Sequence, residues 1–272
     1  MALLPLSIGA LLCLYSVSLT PAVSAHSYVV ESRRVVKGAF DGASGYARGY
    51  GTVTSIMPEW NTLMPAWLVD PAIPTYDTQM TNLLPGDDRT SLTANDLICK
   101  STQQVQNQTQ GYPRLVVSPD DTVALRYREN GHITKPTGDK LTFGAVSIYG
   151  TPEPKTTDEL AQIHHIWNAN NTGGDRRGRL LHRQSFDDGA CYEDNNSLLA
   201  VARASIGQPP HDTIDGSSLA CKAEFDVPVE VKRGALYTLY WVWDWPSSGE
   251  SLVAPGITKQ QYYTTCLDIY ID

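Results

Sequence analysis

The chain has 272 residues, of which 29 are acidic and 21 are Lys or Arg, giving a formal net charge of -8 at pH 7. This negative balance argues against nucleic acid and anionic membranes as partners, because both are negatively charged themselves. Hydrophobic residues make up 42% of the chain, as in ordinary soluble globular proteins. No apolar stretch after residue 25 approaches the ~20 residues that span a membrane.

The first 25 residues have the features of a secretory signal peptide. They contain no charged side chain and an apolar run from Leu3 to Leu19. They end in Val23-Ser24-Ala25, whose small residues suit signal peptidase. The sequence therefore predicts a signal peptide over 1–25, a single domain over 26–272, and a secreted, extracellular protein.

Cleavage after Ala25 makes His26 the first residue of the mature chain. Its free α-amine and its imidazole then belong to one residue and can chelate a transition metal. Nitrogen donors of these two kinds suit both oxidation states of copper. His26 is therefore a candidate metal ligand, and the remaining ligands must come from elsewhere in the chain.

Cleavage also removes Cys13 and leaves an even number of cysteines, which predicts two disulfides in a secreted chain. Spacing alone leaves the pairing of these residues open, namely Cys99, Cys191, Cys221 and Cys266. Glycosylation sequons fit the same compartment. They begin at Asn107, Asn170 and Asn195.

Short runs with strand character recur between clusters of Gly, Pro, Asn and Asp. Such runs with few helical patterns predict an all-β fold, an immunoglobulin-like or fibronectin-III-like β-sandwich with long loops and few short helices. The predicted strands cover residues 27–36, 114–117, 122–128, 142–149, 197–203, 225–231, 235–244 and 261–271. The segment 38–92 is predicted to be a long structured loop, which in a compact sandwich is typically functional.

One helix is predicted, over residues 156–167, where Thr156-Thr157-Asp158-Glu159 resembles an N-capping sequence. His164 and His165 fall inside this segment. Adjacent residues point to different sides of a helix, so the two histidines are not expected to serve one metal ion. They are interpreted as surface residues.

A further histidine follows the predicted strand 122–128. It ends the motif Glu129-Asn130-Gly131-His132, in which Asn-Gly marks a turn. The turn is expected to hold His132 at a strand end or loop tip. On this segment alone, the ring is either a surface histidine or a metal ligand.

The last predicted strand carries a second polar pattern. Alternation places Gln261 and Tyr263 on one face and Tyr262 and Cys266 on the other. A disulfide sulfur belongs in the core, so Tyr263 is predicted to face outward and Tyr262 inward. An amphipathic edge strand explains the same pattern without any site.

Together these features resemble the lytic polysaccharide monooxygenases, which combine a mature N-terminal His, a second His and a Gln-aromatic-Tyr-x-x-Cys ending. Here the ending reads Gln261-Tyr262-Tyr263-Thr264-Thr265-Cys266. The chain is more closely similar to a group of fungal secreted domains without an assigned reaction, over most of its mature length. That likeness is carried by His26-Ser27-Tyr28, Gly45-Tyr46-Ala47-Arg48-Gly49-Tyr50, Glu129-Asn130-Gly131-His132, Gly173-Gly174-Asp175, Phe186-Asp187-Asp188-Gly189, Tyr240-Trp241-Val242-Trp243 and Tyr262-Tyr263-Thr264-Thr265-Cys266.

The resemblance implies one copper ion in a histidine brace. The α-amine and one ring nitrogen of His26 would bind it together with one ring nitrogen of His132, and Tyr263 would occupy the axial side. Gln261 would donate a hydrogen bond to the activated oxygen. The resemblance also implies the disulfides Cys99–Cys266 and Cys191–Cys221.

One departure concerns the strand before the last. The cellulose-active branch has a histidine there, whereas this sequence offers Trp241, Trp243, Trp245 and Asp244. The three tryptophans share one strand face, and we interpret them as core residues or, alternatively, as a π-system near the copper. Three functions follow. The first is copper-dependent oxidation of a polysaccharide by a monomeric enzyme that takes electrons from an external donor. The others are copper carriage or scavenging without oxidation, and non-catalytic carbohydrate or cell-wall binding in which His26 is incidental.

Overall fold

A computed structural model describes residues 27–50, 80–86, 89–136, 143–207, 217–245 and 260–272. Within these ranges the chain forms ten β-strands, two short α-helices and one 3-10 turn. Two sheets pack face to face, which confirms the predicted all-β, immunoglobulin-like sandwich. The predicted signal peptide, His26 and most of the predicted loop 38–92 lie outside the described residues.

The elements follow one another as β1 (Val29–Val36), β2 (Ala39–Gly45), β3 (Leu83–Leu84), β4 (Leu115–Val117), β5 (Thr122–Tyr127), β6 (Ala145–Thr151), α1 (Leu160–Ile163), β7 (Arg179–Ser185), α2 (Leu198–Ala204), β8 (Cys221–Asp226), β9 (Ala235–Asp244) and β10 (Tyr262–Ile271). One sheet has the antiparallel order β2-β1-β5-β8. The other has the order β3-β10-β9-β6-β7, and β4 adds a short parallel pairing to β10.

The six-stranded sheet is covered on both faces, which explains why β9 and β10 are almost wholly buried. Alternation along β9 sends Trp241 and Trp243 into the main core between the sheets. It sends Tyr240 and Val242 to the outer face, where α1 and the segment around Ile98 cover them in a second, smaller core. A strand buried on both faces reads as a continuous apolar run.

Both disulfides join the pairs that the resemblance implies. Cys99 bonds to Cys266 on the outer face of β10, across 167 residues. Cys191 bonds to Cys221 at the start of β8, across 30 residues. In the chain-entropy model, closing loops of these lengths stabilises the fold by about 3.5–5 kcal/mol each.

Several predicted strands agree with the structure, and two are wrong over most of their length. The strand predicted over 225–231 ends at Asp226, because β8 is Cys221–Asp226. Residues 197–203 were predicted as a strand, but Leu198–Ala204 is helical. The hydroxyl of Ser197 accepts a hydrogen bond from the Ala200 amide at 3.1 Å, which is a favourable helix N-cap. The apolar pattern misleads because Leu198 is 92% exposed, so apolarity here does not mark a buried face. The helix predicted over 156–167 is helical only over Leu160–Ile163.

Gly144 has a conformation and a close contact that no other residue type satisfies. Its φ is +72°, and an added Cβ would lie 2.1 Å from the carbonyl oxygen of Asp244. Gly42 in β2 has nearly the same φ, +74°, with nothing within 4 Å. We expect Gly42→Ala to lose only the conformational term of about 1–2 kcal/mol. Gly144→Ala should lose a further ~1–3 kcal/mol from overlap, as measured by denaturant unfolding. Equal losses for the two variants would contradict the close contact.

Candidate functional site

His132 lies in a tight turn that follows β5. The backbone bends at Asn130 and Gly131, which both have positive φ, as an Asn-Gly turn requires. The amide of His132 donates to the carbonyl of Glu129 at 2.9 Å, and that of Lys135 donates to the carbonyl of Gly131 at 2.9 Å. The ring is buried rather than solvent-exposed.

The carboxylate of Glu129 stabilises this turn by accepting hydrogen bonds from its backbone. Its Oε2 accepts hydrogen bonds from the Ile133 amide at 2.7 Å and the Thr134 amide at 3.3 Å. Its Oε1 accepts from the Glu193 amide at 2.8 Å and from the Thr134 hydroxyl. Glu129 is itself buried. A buried carboxylate with this many donors is satisfied, and it ties the His132 turn to the segment after Cys191.

Aromatic rings surround His132 at one end of the main core. The His132 ring lies 4.6 Å from Trp245 and 5.0 Å from Trp243 in edge-on geometry. Phe186 stacks on Trp243 at 3.8 Å, and Tyr263 stacks on its ring at 5.0 Å. We call the four rings of Phe186, Trp243, Trp245 and Tyr263 the aromatic cluster. The cluster brings His132 and Tyr263 to the same end of the sandwich.

The predicted outward orientation of Tyr263 is wrong. Tyr263 is only 1% exposed and lies in the main core between the sheets, whereas Tyr262 and Cys266 lie in the smaller core on the outer face. Alternation holds, but the disulfide does not mark the space between the sheets, because the outer face is covered as well. Burial raises the pKa of Tyr263, so its phenol stays protonated at neutral pH.

Gln261 immediately precedes β10 and is partly buried. Its carbonyl accepts a hydrogen bond from the Trp245 amide at 2.8 Å. This bond fixes Gln261 beside a member of the aromatic cluster.

The described chain starts at the same end of the sandwich. The Ser27 hydroxyl donates to the carbonyl of Arg128 at 2.7 Å. The Val29 amide donates to the Thr265 hydroxyl at 3.2 Å, which links β1 to the opposite sheet. The residue before Ser27 is His26, which lies outside the described residues.

His164 and His165 do not diverge as predicted. The helix ends at Ile163, and His165 adopts a left-handed φ of 62°, which turns its ring back until the two ring centroids are 3.8 Å apart. Both rings face Asp244 at the end of β9, with Nε2–Oδ2 distances of 3.5 Å for His164 and 3.2 Å for His165. The sequence indicates Asp244 only as one of the residues present in place of a histidine, and its approach to the two histidines depends on tertiary packing.

Burial and mutual contacts shift the pKa values of two members of this group, His164 and Asp244. Burial lowers the pKa of His164, which keeps its ring neutral at neutral pH. Burial alone would raise the pKa of Asp244, but the neighbouring His164 and His165 rings lower it overall. A neutral buried imidazole and an ionised carboxylate therefore face each other.

The three predicted glycosylation sites differ in exposure. Asn107 and Asn170 are exposed. Asn195 is half-buried, and its side-chain nitrogen donates to the Thr134 hydroxyl at 2.8 Å and to Glu193 at 3.2 Å. Glycosylation stays a prediction, with Asn107 and Asn170 the more accessible acceptors.

Comparisons with known proteins come from sequence and from structure. A cellulose-active polysaccharide monooxygenase from M. thermophila is similar with 10% identity, 91% of this chain and 78% of that chain covered, and a TM-score of 0.37. A lytic polysaccharide monooxygenase from Streptomyces lividans is similar with 12% identity, 62% and 66% covered, and a TM-score of 0.28. The sequence matches no curated protein.

Among the described residues, no helix is long and apolar enough to cross a membrane. A family model described as "Domain of unknown function (DUF7492)" matches residues 23–272, nearly the whole of the chain. The protein therefore belongs to the DUF7492 domain family.

Proposed function

We propose that this protein is a secreted, copper-dependent, polysaccharide monooxygenase-like enzyme whose one copper ion is held by His26 and His132. The observation that carries the proposal is that three features of the candidate site lie close together. The start of the described chain at Ser27, the turn that presents His132, and the buried Tyr263 all lie at one end of the sandwich. The proposed signal cleavage after Ala25 would leave the α-amine of His26 at this end.

The donor set fits copper. Two imidazoles and an amine are neutral nitrogen ligands, which hold both Cu(I) and Cu(II). The His132 ring is confined by Trp243 and Trp245, and its turn is tied down by Glu129. A ligand locked in this way needs little ordering when a metal ion binds.

Each neighbouring residue has a distinct role in the proposed site. The aromatic cluster excludes water from the side of His132 that faces the core. The protonated phenol of Tyr263 can limit access from that side without becoming a strong ligand. Gln261 offers an amide at the rim that can donate to a reacting oxygen. When bound, copper would supply oxidation of a polysaccharide C–H bond, with electrons from an external donor.

A second candidate is copper binding without oxidation of sugar, as in copper carriage. The observation that favours it is β9, where Trp243 contacts His132 and the described strand contains no histidine. The cellulose-active branch has a histidine on that strand. Indole rings cannot supply the proton transfers that an imidazole can.

Blocking the mature N-terminus should distinguish the two copper-binding functions from carbohydrate or cell-wall binding in which His26 is incidental. We expect one extra residue before His26 to weaken Cu(II) binding by about 100-fold or more, because the amine leaves chelate range; His132→Ala should do the same. His182→Ala, which removes a histidine from β7, is the matched control and should bind normally. Copper affinity is measured by calorimetry on secreted protein whose N-terminus has been sequenced.

Three outcomes are distinguishable. Mass spectrometry of glycans treated with copper-loaded protein and a reductant should reveal oxidised oligosaccharides. Tight copper binding without oxidised products would favour carriage. Equal copper affinity of the extended and native chains would rule out the brace and leave carbohydrate binding to be tested.

A further inference from the structure

We propose that His164, His165 and Asp244 form a second metal site, which takes a divalent first-row transition-metal ion such as zinc. The site lies on the outer face of the six-stranded sheet, where α1 ends against the end of β9. The aromatic cluster lies on the opposite face of that strand end, since Trp243 and Trp245 alternate with Asp244. The proposal is independent of the copper brace.

The spacing of the donor atoms suits one shared ion. Ligand atoms at about 2.1 Å from a tetrahedral ion are about 3.4 Å from one another. Oδ2 of Asp244 lies 3.5 Å from Nε2 of His164 and 3.2 Å from Nε2 of His165. One ligand atom from each of the three residues lies within 4.8 Å of the other two. Only small side-chain adjustments separate this geometry from coordination.

Nε2 of His164 faces Oδ2 of Asp244 at 3.5 Å, a longer separation than in an ordinary hydrogen bond. The His164 side chain is 2% exposed, and its Nε2 has no hydrogen-bond partner among the described residues. A buried polar atom of this kind ordinarily has a partner, so its position calls for one. A metal ion between Nε2 and Asp244 would provide it.

Tyr149 holds both histidines in place from behind. Its hydroxyl lies 3.0 Å from Nδ1 of His164 and accepts a hydrogen bond from the His165 amide at 3.1 Å. If Nδ1–H of His164 donates to this hydroxyl, the lone pair of Nε2 points at the site. Ligating histidines are typically oriented by such a bond from the other ring nitrogen.

The backbone at His165 adopts a left-handed conformation that turns its ring toward Asp244. A φ of 62° in a non-glycine residue is uncommon and costs about 1–3 kcal/mol. It brings the second imidazole onto the same side as the first. The His165 side chain is 47% exposed, so an ion bound here would keep coordination positions open to solvent. Two nitrogen donors and one carboxylate oxygen match zinc and similar ions.

Titration with Co(II), whose visible absorption reports coordination, tests the site. The chain used throughout carries one extra residue before His26, which removes the brace. We expect one equivalent to bind, and Asp244→Asn and His165→Asn each to weaken binding by at least about tenfold. Asparagine is chosen at position 165 because it tolerates the left-handed backbone there. It is chosen at position 244 because it has nearly the same size as aspartate. His182→Asn, in β7 of the same sheet, is the matched control and should bind as the parent does.

The alternative outcomes are informative. Unchanged melting temperatures for the two site variants would separate loss of metal binding from loss of fold. Stoichiometric Co(II) binding that survives both site variants, or no binding to the extended parent, would overturn the proposal. Co(II) binding that is seen in the native chain but absent from the extended parent would assign the ion to the brace and remove the second site.

Discussion

Replacing Arg48 with methionine is expected to lower the free energy of unfolding by about 3–5 kcal/mol. Arg48 and Asp268 form a bidentate ion pair, with Nε–Oδ2 and Nη2–Oδ1 distances of 2.9 and 2.6 Å. Their side chains are 1% and 0% exposed. The guanidinium also donates to the Thr238 hydroxyl at 2.8 Å and the Gln103 carbonyl at 2.9 Å. Its removal leaves a buried carboxylate without its main partner.

Two controls sharpen this experiment. Lys222 forms a pair with Glu224 that is exposed on both sides, so Lys222→Met should change stability by less than about 1 kcal/mol. Replacing Asp268 by leucine in the Arg48→Met background should recover part of the loss, because no buried charge remains. Denaturant unfolding followed by tryptophan fluorescence measures all three. A loss for Arg48→Met as small as that for Lys222→Met would contradict the assigned burial of the pair.

Glu129→Ala is expected to remove more than about 3 kcal/mol of stability and to weaken the proposed copper binding as well. The carboxylate accepts hydrogen bonds from the Ile133, Thr134 and Glu193 amides and from the Thr134 hydroxyl. Without it, buried donors at the His132 turn lose their acceptor, and each such donor costs about 1–3 kcal/mol. The turn should then no longer hold the His132 ring against the aromatic cluster.

Comparison with two other variants isolates the turn. Glu129→Gln keeps one oxygen acceptor and should lose less stability than Glu129→Ala. Glu224→Ala removes a carboxylate that is partly exposed in β8 and should leave copper affinity unchanged. Calorimetric copper titration and thermal melting provide both readouts. Normal copper affinity in folded Glu129→Ala would mean that the turn does not depend on this carboxylate.

The sequence was sufficient for the sandwich and for part of the candidate site. Strong apolar runs defined β5, β9 and β10 to within a residue or so, because strands buried on both faces leave no ambiguity about burial. The Asn-Gly dipeptide located the turn before His132. These are local signals, and each refers to residues that are near one another in the chain.

The remaining features depend on packing that local patterns do not contain. Tyr263 was assigned to the wrong side because the cover over Cys266 comes from distant segments, including Ile98 and α1. The grouping of His164, His165 and Asp244 requires the helix to stop at Ile163 and β9 to end beside it. In helix α2, a run of apolar residues led to the wrong strand prediction, although several of these side chains are exposed.

The position of β10 sets the order in which this protein can be completed during synthesis. β10 lies inside its sheet, with β9 on one side and β3 and β4 on the other, and it is synthesised after all three. Until then β3 and β4 lack the neighbour they pair with, and Cys99 must wait 167 residues for its partner. A chain synthesised only as far as β9 therefore exposes an unpaired sheet edge and an unpaired Cys99, both of which favour aggregation or mispairing. Completion of the sheet, and closure of the Cys99–Cys266 bond, must therefore follow synthesis of β10.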